Sequence, residues 1–142
     1  MTYNWAQDIN DMHHKFGVHK WVEAKVAAGD REALRTFLEF RIKFLEEELT
    51  ETKKAFENTD AEEVVDGLID LCVVAIGTLD AFGIDAHAAW NAVHKANMAK
   101  EPGVKPSRPN PLGLPDLIKP DGWTAPSHEK NHGILEIFTK GG

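Results

Sequence analysis

The chain has 142 residues, a formal net charge of −7 and a single cysteine, Cys72. This length suits one domain, and a hydrophobic content of 42% excludes a disordered chain. One cysteine excludes a disulfide framework and a multi-cysteine zinc site, and it suits a reducing compartment. No apolar stretch is long enough to span a bilayer and the first residues do not resemble a signal peptide, so we expect a cytoplasmic protein without a membrane partner.

Acidic residues are concentrated in one segment. Residues 46–70 hold ten acids and two lysines, a net charge of −8, and the rest of the chain carries +1. A protein that binds duplex nucleic acid would present a basic surface instead, so no such partner is expected. The acidic segment indicates either a site for hard cations or a heavily solvated face.

Four helices are predicted in the first hundred residues, which contain no proline, whereas the following residues contain all seven prolines. They cover residues 5–16 before Gly17, residues 31–57 after the cap Asp30, residues 61–82 between the cap Thr59 or Asp60 and Gly83, and a segment from Asp85 to about residue 100. Strand patterns are weak. We predict an all-α fold: a helical domain over residues 1–100, and a Pro-rich C-terminal arm over residues 101–142 that packs on it or on a neighbouring subunit.

A helical-wheel projection of residues 31–57 places acids among apolar side chains. Glu47, Glu48 and Glu51 share the arc that carries the phenylalanines. Arg41 shares this arc, whereas Glu46 lies on the solvent side. We therefore expect Glu47 and Glu48 to point inward and Glu46 to be plain surface.

The helix over residues 61–82 is apolar on nearly all sides, which indicates burial on most of them. Asp66 and Asp70, one turn apart, form a single polar spot on it. Packing the two long helices together brings five carboxylates into one cluster. Arg41 can neutralise the charge of only one of them. Without a cation, some of the others would take up protons. Mg²⁺ or Mn²⁺ suits such all-oxygen coordination. The predicted metal ligands are Glu47, Glu48, Glu51, Asp66 and Asp70.

This pattern resembles the EExxE…ExxD signature of the MazG-like all-α nucleoside triphosphate pyrophosphohydrolases. The matching segments are Glu47-Glu48-Leu49-Thr50-Glu51, Asp66 to Asp70, the apolar residues 71–76, Gly83-Ile84-Asp85, residues 93–100 with Asn97 and Lys100, and Lys119-Pro120-Asp121-Gly122-Trp123. The family usually has Glu at the position of Gly67. Asp66 is therefore expected to take over as a ligand, or the site to bind fewer ions.

The resemblance implies a four-helix-bundle-type fold that assembles as a homodimer or homotetramer. It also implies hydrolysis of a nucleoside or deoxynucleoside triphosphate to the monophosphate and pyrophosphate, with two or more Mg²⁺ or Mn²⁺ ions per site. Such ions would neutralise phosphate oxygens, and Glu47 or Glu48 would orient or deprotonate the attacking water. The resemblance does not fix the base of the nucleotide substrate, which could be uracil, cytosine, guanine or a modified base. The short chain with its arm is most similar to viral or small bacterial members.

Four residues are expected to bind the substrate. Asn97 and Lys100 are assigned to nucleotide contacts by the resemblance, and Arg41 by its place on the acidic arc. Lys119 lies in the arm, where it would close over the phosphates or remain a solvated loop charge.

Two other functions stay open: a non-catalytic helical oligomerisation module whose acids bind cations for stability, and a related phosphohydrolase of dUTP and dUDP or of phosphoribosyl-ATP. The sequence lacks GxxxxGK[ST], which excludes a P-loop enzyme, and it lacks Glu-x-x-His, which disfavours a di-iron site. His13, His14 and His19 flank Phe16-Gly17, and we expect these three histidines on the surface.

Overall fold

The computed structural model describes residues 4–107, 112 and 116–138. In chain order its elements are α1 (Trp5–Lys15), α2 (Val18–Ala27), α3 (Arg31–Glu57), α4 (Ala61–Ala81), α5 (Ala86–Met98), β1 (Glu101–Gly103), β2 (Asp116–Ile118) and a 3-10 helix (Gly133–Phe138). Within these ranges no single helix is long and apolar enough to cross a membrane; α4 and α5 reach that length and hydropathy only together. The fold is all-α, as predicted, with one pair of three-residue strands in the described ranges.

Side-chain caps explain why α3 and α4 begin where the sequence predicts. The Asp30 carboxylate accepts a hydrogen bond from the backbone N–H of Ala33 at 3.0 Å, and Asp60 accepts one from the N–H of Glu63 at 3.1 Å. These bonds satisfy N–H groups that have no partner in the first turn of a helix. Gly83 follows α4 with a φ of 73°, a left-handed conformation that glycine adopts without steric cost and that ends the helix.

Residues 18–27 form α2, a helix that the sequence did not predict. No side chain caps its first turn, and Gly17, with a φ of 79°, separates it from α1. Val22 is its buried residue, and the helix packs on α1, α3 and α4. Tertiary packing rather than a local signal therefore stabilises α2, since a helix this short is marginal by itself.

Residues 4–86 and 132–138 form one compact unit. In it α3 and α4 pack along each other, and α1 packs on α4. Its core includes Val22, Leu34 and Phe82, each at most 2% exposed, and such burial contributes roughly 1.5–3 kcal/mol per side chain. The backbone N–H of Ile134 donates to the Phe82 carbonyl at 2.7 Å, which attaches the 3-10 helix to the end of α4.

The expectation that α4 is buried on most sides is wrong for this chain. Val65, Leu68 and Ile69 are 63%, 52% and 48% exposed, and on α3 Phe40 and Phe56 are 63% and 74% exposed. The polar contacts of α1 with α4 lie near the C-terminal end of α4, so the first half of α4 packs chiefly on α3. A substantial apolar surface of both long helices is therefore left open.

The described residues between 87 and 131 form a second compact unit. β1 and β2 pair antiparallel in it, with Gly103 opposite Asp116. The indole N–H of Trp123 donates to the backbone carbonyl of Ala96 on α5 at 2.8 Å, so the segment that follows α5 packs back on it. The predicted division into a helical domain over residues 1–100 and an arm over residues 101–142 stays a prediction.

Gly67 on α4 allows α3 to approach closely. A Cβ atom at Gly67 would overlap the Thr52 hydroxyl oxygen and lie 3.2 Å from the Thr52 Cβ. Gly67→Ala is therefore expected to reduce the free energy of unfolding, because overpacking costs roughly 1–3 kcal/mol and the gain in helix propensity is at most about 1 kcal/mol. Urea unfolding measures the difference.

The matched control is Thr52→Ala, which removes the hydroxyl group that the new methyl group would meet. In the double variant the cost of Gly67→Ala should fall, with a coupling energy on the order of 1 kcal/mol. The close approach of α3 and α4 would be contradicted if Gly67→Ala were as stable as the wild type. It would also be contradicted if the destabilisation of the double variant equalled the sum of the two single effects.

Candidate active site

Two contacts fix the register of α3 against α4. Thr52 lies opposite Gly67, and the Nε of Arg41 donates to the Thr78 hydroxyl oxygen at 3.1 Å. Residue numbers rise along α3 as they fall along the facing part of α4, so the two helices are antiparallel. The part of α3 that carries three of the predicted ligands is therefore level with Asp70.

Glu48 lies among the other predicted metal ligands. Its side chain is half-buried, and burial raises the pKa of the Glu48 carboxyl above its usual value. The nearby negative charges raise this pKa further, in the order Glu51, Asp70, Asp66 and Glu47. These are the four acids that helical periodicity groups with Glu48, so the fold places four negative charges near one carboxyl group.

The acidic cluster is open to solvent. Glu47, Glu51 and Asp66 are exposed, whereas Glu48 and Asp70 are half-buried. The expectation that Glu47 points inward is therefore wrong, because α4 covers only the neighbouring side of α3 at this level. In the described part of the chain these carboxylates do not form a group of ligand atoms within 4.8 Å of one another. Their role as metal ligands stays a prediction.

The donor set of the cluster nevertheless fits a hard divalent cation. Carboxylate oxygens are the ligands that Mg²⁺ and Mn²⁺ prefer in proteins. The repulsion that raises the pKa of Glu48 is the kind that a bound cation relieves, since an opposite charge favours the ionised form of a carboxyl group.

Arg41 connects α3 to α4 at one side of the cluster. Its Nη2 donates to the Val74 carbonyl at 3.0 Å, in addition to the bond from Nε to Thr78. A Cβ at Gly77 would lie 2.5 Å from Nη2, so a larger residue there would require the guanidinium to move. Burial lowers the pKa of Arg41. The structure thus gives Arg41 a packing role, and its predicted contact with substrate stays a prediction.

The remaining predicted substrate ligands lie in the second unit. Lys100 and Lys119 place their ammonium groups 5.4 and 5.1 Å from the centroid of the Trp123 ring. Asn97 is half-buried near the C-terminal end of α5. The two lysines are therefore brought together on one aromatic ring, where cation–π attraction holds both positive charges.

An open cavity of about 970 Å³ in the first unit was not predicted. Its lining includes Trp21, Phe37, Phe40 and Arg41. The rings of Trp21 and Phe37 are in contact, with centroids 5.1 Å apart. A mostly apolar cavity of this size with a few polar groups is typical of a small-molecule site. Because α2 supplies Trp21, this cavity could not be predicted from a sequence interpretation that lacked α2.

A second polar cluster was also missed. His13 is only 4% exposed, which corrects the expectation that it lies on the surface, and it contacts Asp80 together with His19. The reason is that α1 and α2 fold against the end of α4. The signal was present: His13 follows Ile9 by four residues and so shares the apolar face of α1.

The sequence matches a known protein family. The family model described as phosphoribosyl-ATP pyrophosphohydrolase matches residues 18–97, more than half of the chain. The match begins with α2 and includes α3, α4 and most of α5. No curated protein matches the sequence.

Mg²⁺ or Mn²⁺ is expected to raise the melting temperature of the protein, and a chelator should reverse the shift. A cation that binds the folded cluster more tightly than the unfolded chain stabilises the fold, by about 2.7 kcal/mol at 100 times its Kd. Differential scanning fluorimetry at low salt measures the shift. NaCl at matched ionic strength is the control, because it screens the repulsion without binding. Equal shifts with NaCl and Mg²⁺ would contradict a shared cation.

Proposed function

The chain belongs to the phosphoribosyl-ATP pyrophosphohydrolase family of the MazG-like superfamily and is a pyrophosphohydrolase, and from this premise we propose the reaction that it catalyses. It hydrolyses a nucleoside or deoxynucleoside triphosphate between the α and β phosphates, with Mg²⁺ or Mn²⁺, and releases the monophosphate and pyrophosphate. The crowding of four negative charges around Glu48 is the observation that carries this proposal.

In this proposal the acidic cluster holds the cations and prepares the nucleophile. The ligands would be Glu48, Glu51, Asp66 and Asp70, with Glu47 at the exposed edge. A bound divalent ion supplies charge neutralisation for phosphate oxygens and lowers the pKa of water. A glutamate carboxylate beside the attacking water is a suitable proton acceptor, and the cation that Glu48 helps to bind would offset the repulsion that raises the pKa of Glu48. Glu48 or Glu47 takes a proton from water as its oxygen bonds to the α phosphorus and the bond to the pyrophosphate oxygen breaks.

The substrate would extend from the acidic cluster towards the cavity lined by Trp21 and Phe37. Arg41 belongs to the lining of this cavity and lies seven residues before Glu48 on α3, about 10 Å along the helix axis. That separation suits a nucleoside in the cavity with its phosphates at the acids. By the resemblance, Asn97, Lys100 and Lys119 are further proposed contacts of the nucleotide.

We also propose that the protein works as a homodimer or homotetramer in the cytoplasm. The exposed apolar side chains of α3 and α4, including Phe56 and Val65, support assembly, because large exposed apolar surfaces usually mark an interface. The single cysteine is exposed, which suits a reducing compartment.

The family match favours phosphoribosyl-ATP as a second candidate substrate. It is the substrate that the matching family model names. Hydrolysis of its α–β phosphoanhydride also releases pyrophosphate, so both candidates use the same acidic cluster. Only the organic part of the substrate differs between them.

A substrate panel tests the proposal. The protein is incubated with Mg²⁺ or Mn²⁺ and with each of the common (deoxy)nucleoside triphosphates, dUDP and phosphoribosyl-ATP, and pyrophosphate and orthophosphate are measured separately. Pyrophosphate from at least one nucleoside triphosphate is expected. Pyrophosphate from phosphoribosyl-ATP alone would support the second candidate. Orthophosphate alone, or no turnover while Mg²⁺ still raises the melting temperature, would contradict the proposed reaction.

Glu48→Gln is expected to reduce turnover of the best substrate at least about 100-fold, because it removes a metal ligand and a proton acceptor. Without metal the variant should be no less stable than wild type, since the amide carries no charge for the other acids to repel. Circular dichroism and thermal unfolding check this point. The matched control is Glu46→Gln, an exposed neighbour, which should retain activity. Wild-type turnover by Glu48→Gln would remove Glu48 from the mechanism.

A further inference from the structure

A cluster of four polar side chains joins three helices at the C-terminal end of α4. His13 comes from α1, His19 from α2 and Asp80 from α4, and Asn10 lies one turn before His13. We propose that His13, His19 and Asp80 bind a divalent transition-metal ion, with Zn²⁺ as the expected occupant. Asp80 lies ten residues from Asp70, about 15 Å along α4, so this site is separate from the acidic cluster.

The three ligand atoms are already close together. The Nδ1 of His13 lies 2.8 Å from Asp80 Oδ2, the Nε2 of His19 lies 2.9 Å from the same oxygen, and all three lie within 4.8 Å of one another. Ligand atoms about 2.0–2.2 Å from a zinc ion are themselves roughly 3 Å apart or slightly more. Small side-chain movements would therefore complete the site.

The Asp80 carboxylate is the acceptor at the centre of the cluster. The Asn10 amide donates to Asp80 Oδ1 at 2.9 Å, and the same nitrogen lies 3.3 Å from His19 Nε2. The His13 and His19 nitrogens that face Asp80 Oδ2 can both donate to it, so one carboxylate oxygen accepts two hydrogen bonds. A divalent cation bound by these two nitrogens and this oxygen would replace the two protons, and Asn10 would keep its bond to Oδ1.

The chemistry of the ligands selects the metal. Imidazole nitrogens suit zinc and its neighbours in the transition series, whereas Mg²⁺ and Ca²⁺ prefer oxygen. Two histidines and one carboxylate are a known zinc ligand set that leaves a fourth position for water or another donor. The acidic cluster offers only oxygen ligands. It would therefore prefer Mg²⁺ or Mn²⁺, whereas the histidine site would prefer Zn²⁺.

The neighbouring side chains orient and shield the proposed ligands. His14 packs its ring on His19, with centroids 4.4 Å apart, which restricts the orientation of that ligand. The side chains of His13, His19 and Asp80 are 5%, 18% and 14% exposed, so a bound ion would be largely shielded and would hold the α1–α2 pair against α4.

A titration of the whole protein with Zn²⁺ in excess Mg²⁺ tests the proposal, since Mg²⁺ competes at oxygen-only sites. Competition with a chromophoric chelator is expected to show one Zn²⁺ per chain. His19→Gln and Asp80→Asn should each weaken this binding at least about tenfold. His94→Gln removes an exposed histidine of α5 and is the matched control, with unchanged Zn²⁺ affinity expected.

A second measurement on the wild type does not depend on the folding of any variant. The X-ray absorption spectrum of the protein with one Zn²⁺ per chain should show scattering from two imidazole rings. Absence of Zn²⁺ binding, equal affinity in Asp80→Asn, or an oxygen-only shell around the ion would each overturn the proposal.

Discussion

The close antiparallel packing of α3 against α4 is the constraint on which the rest of the first unit depends. Gly67 lets the backbones approach at Thr52, and Gly77 makes room for the Arg41 guanidinium, which donates to Val74 and Thr78 of α4. These contacts bracket Glu47, Glu48, Glu51 and Asp70, and Asp66 lies next to Gly67, so they fix the register of the acids. Helix packing therefore holds negative charges close together. Like charges repel, so this arrangement is unfavourable unless a cation is bound.

The same packing explains Gly67, a position at which the resemblance leads one to expect a glutamate. At this position a side chain would point at Thr52 and not into open space. A longer side chain would force α3 and α4 apart and move the flanking acids. In this chain the position serves helix packing. Asp66, its neighbour, is exposed, and its role as a ligand stays a proposal.

Much of this organisation could be predicted from local signals. The start of α3 follows from its Asp30 cap, and the end of α4 from Gly83, because capping depends on neighbouring residues. The four acids that raise the pKa of Glu48 are the ones that helical periodicity groups with it, and their role as metal ligands stays a prediction. What escaped prediction depends on contacts distant in sequence. No side chain caps the first turn of α2, and Asp80, the partner of His13, lies 67 residues later in the chain. Helix periodicity likewise shows which residues share a face but not which faces a neighbour covers, as exposed Val65 and Phe56 illustrate.

The central claim is that carboxylates from α3 and α4 share divalent cations at the phosphates of the substrate. A crystal structure with Mn²⁺ and a nucleotide whose α–β bridge cannot be hydrolysed tests it most directly, because anomalous scattering locates manganese without ambiguity. The account predicts manganese in contact with Glu48, with Asp70 and with a phosphate oxygen. Manganese bound elsewhere, with these two carboxylates in contact only with water, would contradict it.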